Sequence, residues 1–304
     1  MELRDADLAV RTRGLTKSFG KRTVVDGLDL AIPRGGVYGF LGPNGSGKST
    51  TMKMLLGLLH PSAGQISLLG ETPWGEARAR LMPRIGSMIE HPPGYGHLTG
   101  AENMRLLARL LNLETTRIDR ALELVRLTDH RDRLQRTYSL GMKQRLGIAM
   151  ALAREPELLI LDEPTNGLDP AGIEEIRELM THLASGGVTV MISSHLLDEI
   201  DRMADVLGVL SRGRLVFQGS REELFERFIP DLLVVTPQAD AAANLIRGCR
   251  REKNGIRVQG CGQEDAARLI VRLVQAGIPI HEVHRLQQSL EEVFMDLTGG
   301  VGAL

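Results

Sequence analysis

Gly42-Pro43-Asn44-Gly45-Ser46-Gly47-Lys48-Ser49-Thr50 is a complete G-x-x-x-x-G-K-[ST] phosphate-binding loop. Its glycines permit backbone conformations and close approaches that a side chain would block, so successive N–H groups can wrap a polyphosphate. Lys48 can reach the β- and γ-phosphates, and the Ser49 hydroxyl can ligate Mg2+. A helix beginning near Ser49 adds unpaired N–H groups and a partial positive charge aimed at the anion. The flanks agree. Val37-Tyr38-Gly39-Phe40-Leu41 is a short buried-strand run, and Ser49 to Leu59 carries apolar residues at helical spacing up to His60-Pro61. The stretch predicts an α/β fold with a nucleotide at the strand-to-helix turn.

Upstream, Leu8–Arg13 and Thr23–Ile32 alternate apolar and polar residues, as antiparallel strands with one wet face do. Downstream, Gln65–Leu69 reads as a strand, and Leu98 to about Ala153 as a helical insertion with three helical patterns. Strands resume at Leu158–Leu161 and Val188–Ile192, each joined to a helix in the βαβ rhythm of a parallel sheet. Val206–Leu210 and Leu215–Gln218 predict a hairpin closing a first domain, residues 1–222. Residues 223–304 read as a second unit of order βαββαβ, the split, ferredoxin-like arrangement, with its hairpin at Asn254-Gly255, a last strand at Ile278–His284 and an added helix from Ser289 to about Leu297.

The strand Leu158–Leu161 ends in Asp162-Glu163, at the sheet edge that faces the phosphates in a P-loop protein. Asp162 can hold Mg2+ together with Ser49, and Glu163 can polarise the water that attacks the γ-phosphorus. His195 lies at the end of the next strand, behind Ser193-Ser194, where an imidazole can donate to a phosphate oxygen; taken alone, one histidine among eight is more often structural. Ser139 precedes a helix running to Ala153. That is either a second anion-binding helix start, open to a nucleotide held by another subunit, or a simple cap.

Composition excludes other classes. At 304 residues and 42% hydrophobic content the chain can bury a core, and a net charge of −1 gives no basis for a nucleic-acid surface. No apolar run approaches the ~18–20 residues of a membrane span, and the charged start is not signal-like, so a cytoplasmic protein is expected. A two-residue Asn254-Gly255 loop would pair Lys253 with Ile256 and put Cys249 opposite Gly260, leaving Cys249 and Cys261 as free thiols. His281 and His284, at i,i+3 on a strand, would point to opposite faces rather than share a metal.

Taken together, five ordered motifs resemble the nucleotide-binding subunits of ATP-binding cassette (ABC) transporters. They are the P-loop, Ser139-Leu140-Gly141-Met142-Lys143-Gln144-Arg145, Asp162-Glu163-Pro164, Asn166-Gly167-Leu168-Asp169-Pro170 and Ser193-Ser194-His195. The resemblance covers nearly all of residues 1–230. It implies a RecA-like sheet, an antiparallel β subdomain and a helical subdomain, with ATP and Mg2+ as ligands. It further implies that Phe19 stacks on adenine and that His195 contacts the γ-phosphate. Two copies would sandwich ATP head to tail, with Ser139 and Gly141 completing the partner's site and Asp169 coupling the two.

The chain departs from the family at Leu140 and Met142, where Gly and Gln are usual, and at Glu90, where a Mg2+-sensing Gln is usual. Glu90 can still ligate the metal while adding negative charge. That substitution, the extra C-terminal unit and Ser289-Leu290-Glu291-Glu292-Val293-Phe294 are similar to bacterial exporters protecting against bacitracin, lantibiotics and drugs. The resemblance therefore implies ATP hydrolysis that drives a separate membrane permease, with the chain peripheral on the inner membrane face and Pro92-Pro93-Gly94-Tyr95-Gly96 at the coupling surface. A competing expectation is a soluble ABC ATPase acting on ribosomes or DNA. The single cassette and the lack of a long coiled coil count against it. A nucleotide-gated module with little turnover is a further competitor, opposed by Asp162-Glu163 and His195.

Overall fold

Pairing with three neighbouring strands carries the chain through β1 (Leu8–Phe19) as one long strand in the computed structural model, which describes residues 4–195, 200, 202–226, 229–286 and 290–298. An irregularity in register between Arg13 and Thr16 bends β1 past the expected end at Arg13 without terminating it. The expected strand Thr23–Ile32 is two, β2 (Arg22–Leu28) and β3 (Ala31–Pro33). Thr12 makes the break: its buried Oγ1 donates to Leu28 O at 2.7 Å and accepts from Leu30 N at 2.8 Å, standing in for the bonds a continuous strand would make.

β4 (Gly36–Leu41) feeds the P-loop into α1 (Lys48–Leu55), shorter than the expected run to Leu59. Gly57 turns the chain at φ +63°, and Arg78 Nη1 donates to Leu56 O at 3.1 Å, capping the helix end early. β5 (Ala63–Leu68) then pairs antiparallel with β1, completing a four-stranded antiparallel sheet with β2 and β3. After α2 (Ala77–Leu81) and β6 (Ile85–Met88), the helical insertion comprises α3 (Gly100–Leu111), α4 (Thr115–Leu124) and α5 (Leu140–Leu152). β7 (Leu158–Asp162), α6 (Pro170–Ser185), β8 (Thr189–Ser194), β9 (Val206–Ser211) and β10 (Arg214–Gly219) complete the first unit, Met1–Ser220.

The larger sheet runs β10-β9-β4-β8-β7-β6, parallel except for β10, which returns along β9. Its register fixes the site: Leu41 pairs with Ser194 and Asp162 with Ser193, so β4, β8 and β7 end side by side. α1 fills the space between the two sheets. Met52, Met54 and Leu55 are fully buried against Val10 and Leu15 of β1 and Phe40, Ile160 and Met191 of the parallel sheet. Each such side chain contributes about 1.5–3 kcal/mol on burial, which anchors the helix carrying Lys48 and Ser49.

The second unit, Arg221–Leu304, contains α7 (Arg221–Glu226), β11 (Asp231–Val235), α8 (Ala239–Leu245), β12 (Cys249–Glu252), β13 (Gly255–Val258), α9 (Gln263–Gln275), β14 (Glu282–Leu286) and α10 (Leu290–Thr298). Its sheet order is β12-β13-β11-β14, all antiparallel, with Ala242, Ile246, Leu269 and Leu273 packed on Leu232, Val234 and Ile256. β11 to β14 thus follow the split βαββαβ order.

Two local expectations are corrected. Glu252 pairs with Gly255, so Lys253-Asn254 form the loop and Cys249 faces Val258, not Gly260. Gly255 serves the sheet instead of the turn, because a Cβ there would sit 1.9 Å from Val234 O. Both cysteines are free. The last strand begins at Glu282 because Ile278 N caps α9 by donating to Leu273 O, which leaves His281 ahead of the strand and only His284 on it. Ser289 lies outside the described residues.

Candidate active site

β4 delivers the P-loop to the edge where three strand ends meet. Gly45 and Gly47 adopt φ +78° and +111°, and a Cβ on Gly47 would lie 3.0 Å from Val24 O of β2. The loop curls tightly enough for Ser46 N to donate to Pro43 O at 3.1 Å, while Asn44 and Gly45 stay exposed and Pro43, Ser49 and Thr50 are half-buried. Lys48 is 5% exposed; its Nζ donates to Gly42 O at 2.6 Å and stands 3.6 Å from Glu163 Oε1. Burial pulls its pKa below the usual lysine range, opposed by the charges of Glu163 and Asp162. Ser46 Oγ is buried with no hydrogen-bond partner among the described residues, a cost that a phosphate oxygen would relieve.

Asp162 ends β7, 7% exposed, and its Oδ1 accepts from Ser193 Oγ at 2.6 Å. The same hydroxyl accepts from Glu163 N at 3.0 Å. Glu163 has a left-handed backbone, φ +48°, and its Oε2 meets His195 Nδ1 at 3.1 Å and Asn166 Nδ2 at 3.2 Å. In a neutral ring with its proton on Nδ1, His195 donates to Glu163 and keeps Nε2 as an acceptor; donation from Nε2 to a phosphate then needs the imidazolium.

Ser49, Glu90, Gln144, Asp162, Glu163 and Asn166 line one cleft of about 530 Å3. Ser49 and Asp162 supply a hydroxyl and a carboxylate, the hard oxygen donors Mg2+ takes, and so fit that ion. Glu90 lines the cleft, but its carboxylate is bonded to Lys53 Nζ, one helical turn beyond Ser49. That hydrogen bond and charge hold the Glu90 carboxyl below the usual range.

The remaining expected residues lie elsewhere. Ser139 caps α5, its Oγ accepting from Met142 N at 3.2 Å, and Asp169 caps α6, its Oδ1 accepting from Gly172 N at 3.1 Å. With Gly141 they line a second cleft of about 390 Å3. Phe19 ends β1, 52% exposed, with Lys17 Nζ over its ring, 5.1 Å from the centroid. The 92–96 loop is tied down, since buried Asn103 accepts from Tyr95 N at 2.7 Å and donates to Tyr95 O at 3.1 Å.

Three contacts escaped the motif reading: Ser193 on both acids, Asn166 on Glu163 and Lys53 on Glu90. Only Lys53 carried a usable signal, its i+4 spacing from Ser49 placing it on the same helix face.

The chain matches the ABC transporter family over residues 25–166. It is 39% identical over 304 aligned residues to a bacitracin transport ATP-binding protein of Enterococcus faecalis, spanning 97% of this chain and 98% of that relative. A lantibiotic transport ATP-binding protein of Streptococcus pyogenes is 44% identical over 72% of this chain and 97% of its own length. Among solved structures, cbiO1 of Clostridium perfringens, part of the ABC transporter complex cbiONQ, superposes with a TM-score of 0.67 at 30% identity, over 72% of this chain and 91% of that one. A sheet edge able to cradle and cleave a triphosphate, within end-to-end similarity to transport proteins, leads to one assignment: the chain belongs to the ATP-binding subunits of ABC transporters and hydrolyses ATP.

Proposed function

We propose that the chain powers an exporter whose permease is a separate chain, with a peptide antibiotic or a drug as cargo. The observation that carries this reading is the similarity, over 97% of the chain, to a bacitracin transport ATP-binding protein. Among the described residues no helix is long and apolar enough to cross a membrane, which fits a division of labour with a membrane partner. The exposed Tyr95 on its tied-down loop offers that partner a firm docking point on the membrane's inner face. An ATPase acting on ribosomes or DNA is not favoured, since the relatives above are transport proteins. ATP chemistry is assigned to residues 1–222 and an accessory role to 223–304.

In this reading Phe19 stacks on adenine and residues Gly42 to Thr50 hold the phosphates, with Lys48 on the β- and γ-oxygens. Ser49 and Asp162, with Glu90 at the cleft wall, would hold Mg2+, which neutralises developing charge on the phosphate oxygens. Glu163 takes a proton from the attacking water, held in place by His195 and Asn166. A second copy closes the site, presenting Ser139 and Gly141 to the γ-phosphate, with Asp169 at the seam. Cleavage severs the phosphate that joins the two copies and resets the dimer. In cells that carry the transporter, Lys48→Ala should lower antibiotic resistance to the level of the deletion strain, and the wild-type chain should co-purify from membranes with a multi-span protein. Unchanged resistance, with no membrane protein recovered, rejects the exporter.

Glu90 gives a second test. Glu90→Gln should keep ATP affinity while changing turnover and its coupling to transport, because it removes a charge beside the phosphates and releases Lys53. Lys53→Met alone should slow hydrolysis several-fold by leaving the Glu90 charge uncompensated, and adding Glu90→Gln should restore most of the loss. Hydrolysis and resistance unaltered in Glu90→Gln would sink the role of this pair.

A further inference from the structure

Ser193, the fifth residue of β8, is fully buried, and both hydrogen-bonding capacities of its hydroxyl go to the two acids at the end of β7. Oγ donates to Asp162 Oδ1 at 2.6 Å and accepts from Glu163 N at 3.0 Å. The surroundings do not call for a hydroxyl on packing grounds, since Val190, Met191 and Ile192 before it are all fully buried and apolar. An alanine would fill the space as well and leave Asp162 Oδ1 and the Glu163 N–H short of a partner. Glu163 is also one of the few non-glycine residues with a left-handed backbone, so its placement depends on whatever pins that N–H.

We propose that Ser193 is a positioning residue for ATP hydrolysis, orienting the metal-binding Asp162 and fixing the backbone of the general base Glu163 through one buried hydroxyl. The inference rests on the roles given above to those two acids. Donation to Oδ1 restricts the rotation of the carboxylate, leaving the second oxygen for the cation. Acceptance from Glu163 N holds the residue in the conformation in which its carboxylate meets Lys48, His195 and Asn166. The nearby Ser49 and Lys48 are untouched by the change, so nucleotide binding without metal should not depend on Ser193.

The test compares wild type, Ser193→Ala and Ser193→Thr in full-length protein. It measures binding of a fluorescent ATP analogue with and without Mg2+, kcat and KM for ATP, and the melting temperature. For Ser193→Ala we expect metal-free affinity unchanged, the Mg2+ concentration for half-maximal binding raised about tenfold and kcat lowered about 10–100-fold, the scale of losing one hydrogen bond that orients a metal ligand. KM for ATP should move far less than kcat. Ser193→Thr, which keeps the hydroxyl, should recover Mg2+ dependence and turnover. Wild-type kcat and Mg2+ dependence in folded Ser193→Ala overturns the proposal, as does an equal loss in a Ser193→Thr protein that melts like wild type. If Ser193→Ala does not fold, Ser193→Cys decides: the weaker thiol donor should raise the Mg2+ requirement, and an unchanged requirement overturns the idea. Retained hydrolysis in Glu163→Gln would instead remove the site reading beneath it, so the two failures are separable.

Discussion

Glu163→Gln should abolish turnover while leaving ATP binding intact or stronger. Removing a positioned general base costs about 10²–10⁴ in rate, so kcat should fall by that factor in an ATPase assay. The cradle does not depend on the carboxylate: Lys48 Nζ is held by Gly42 O at 2.6 Å, closer than its 3.6 Å approach to Glu163. Glu163 also places a negative charge where the γ-phosphate must come, and the amide removes that repulsion without changing shape. Loss of that charge removes one influence raising the Lys48 pKa, but burial already dominates it and the incoming phosphates replace the lost anion. His195 and Asn166 keep an oxygen to bond in Gln, so the local fold should hold. Hydrolysis within about threefold of wild type would remove Glu163 from the role of base, since base catalysis is typically worth at least a hundredfold.

The parts of this site legible in the sequence are those encoded in continuous stretches. Gly42 to Thr50 names its own geometry, and a short apolar run ending in Asp162-Glu163 reads as a strand end once a P-loop precedes it. Contacts that depend on register across the sheet were not legible. Ser193 lies 31 residues from Asp162, and nothing local says that β7 and β8 are neighbours with these two residues abreast. The motif position of Glu90 points to the metal but not to Lys53, its partner on α1, because nothing local says that the end of β6 comes to lie against that helix. In the second unit the Asn254-Gly255 turn signal misplaced the hairpin by one residue, because Gly255 answers a steric demand from β11 that only the folded sheet reveals. Thr12 divided a strand that alternation alone joined, for the same reason.

Gly141→Asp should prevent ATP-driven pairing of two chains without weakening ATP binding to one. The chain itself has no need of glycine at this position: φ there is not left-handed, and a Cβ would meet only Leu168 Cδ2 at 3.6 Å, ordinary contact. Ser139 Oγ accepts from Met142 N through one lone pair and keeps its proton to give. Leu140 beside them is 46% exposed. A bare helix start with a spare donor is what an approaching phosphate requires, and it suits the γ-phosphate of the second copy proposed above. In a Glu163→Gln background, ATP should double the mass seen by light scattering, and Gly141→Asp should return it to the monomer. A carboxylate set against the partner's γ-phosphate costs several kcal/mol, so the dimer should weaken by about 10³-fold or more. ATP affinity of the monomer should stay at the parent value, because neither Lys48 nor Ser46 lines the cleft that holds Gly141. Gly141→Ala, which the fold accommodates, should weaken pairing less than the charge does. A dimer that survives Gly141→Asp would mean that each chain completes its own site, and Gly141 would then need an explanation that its surroundings do not supply.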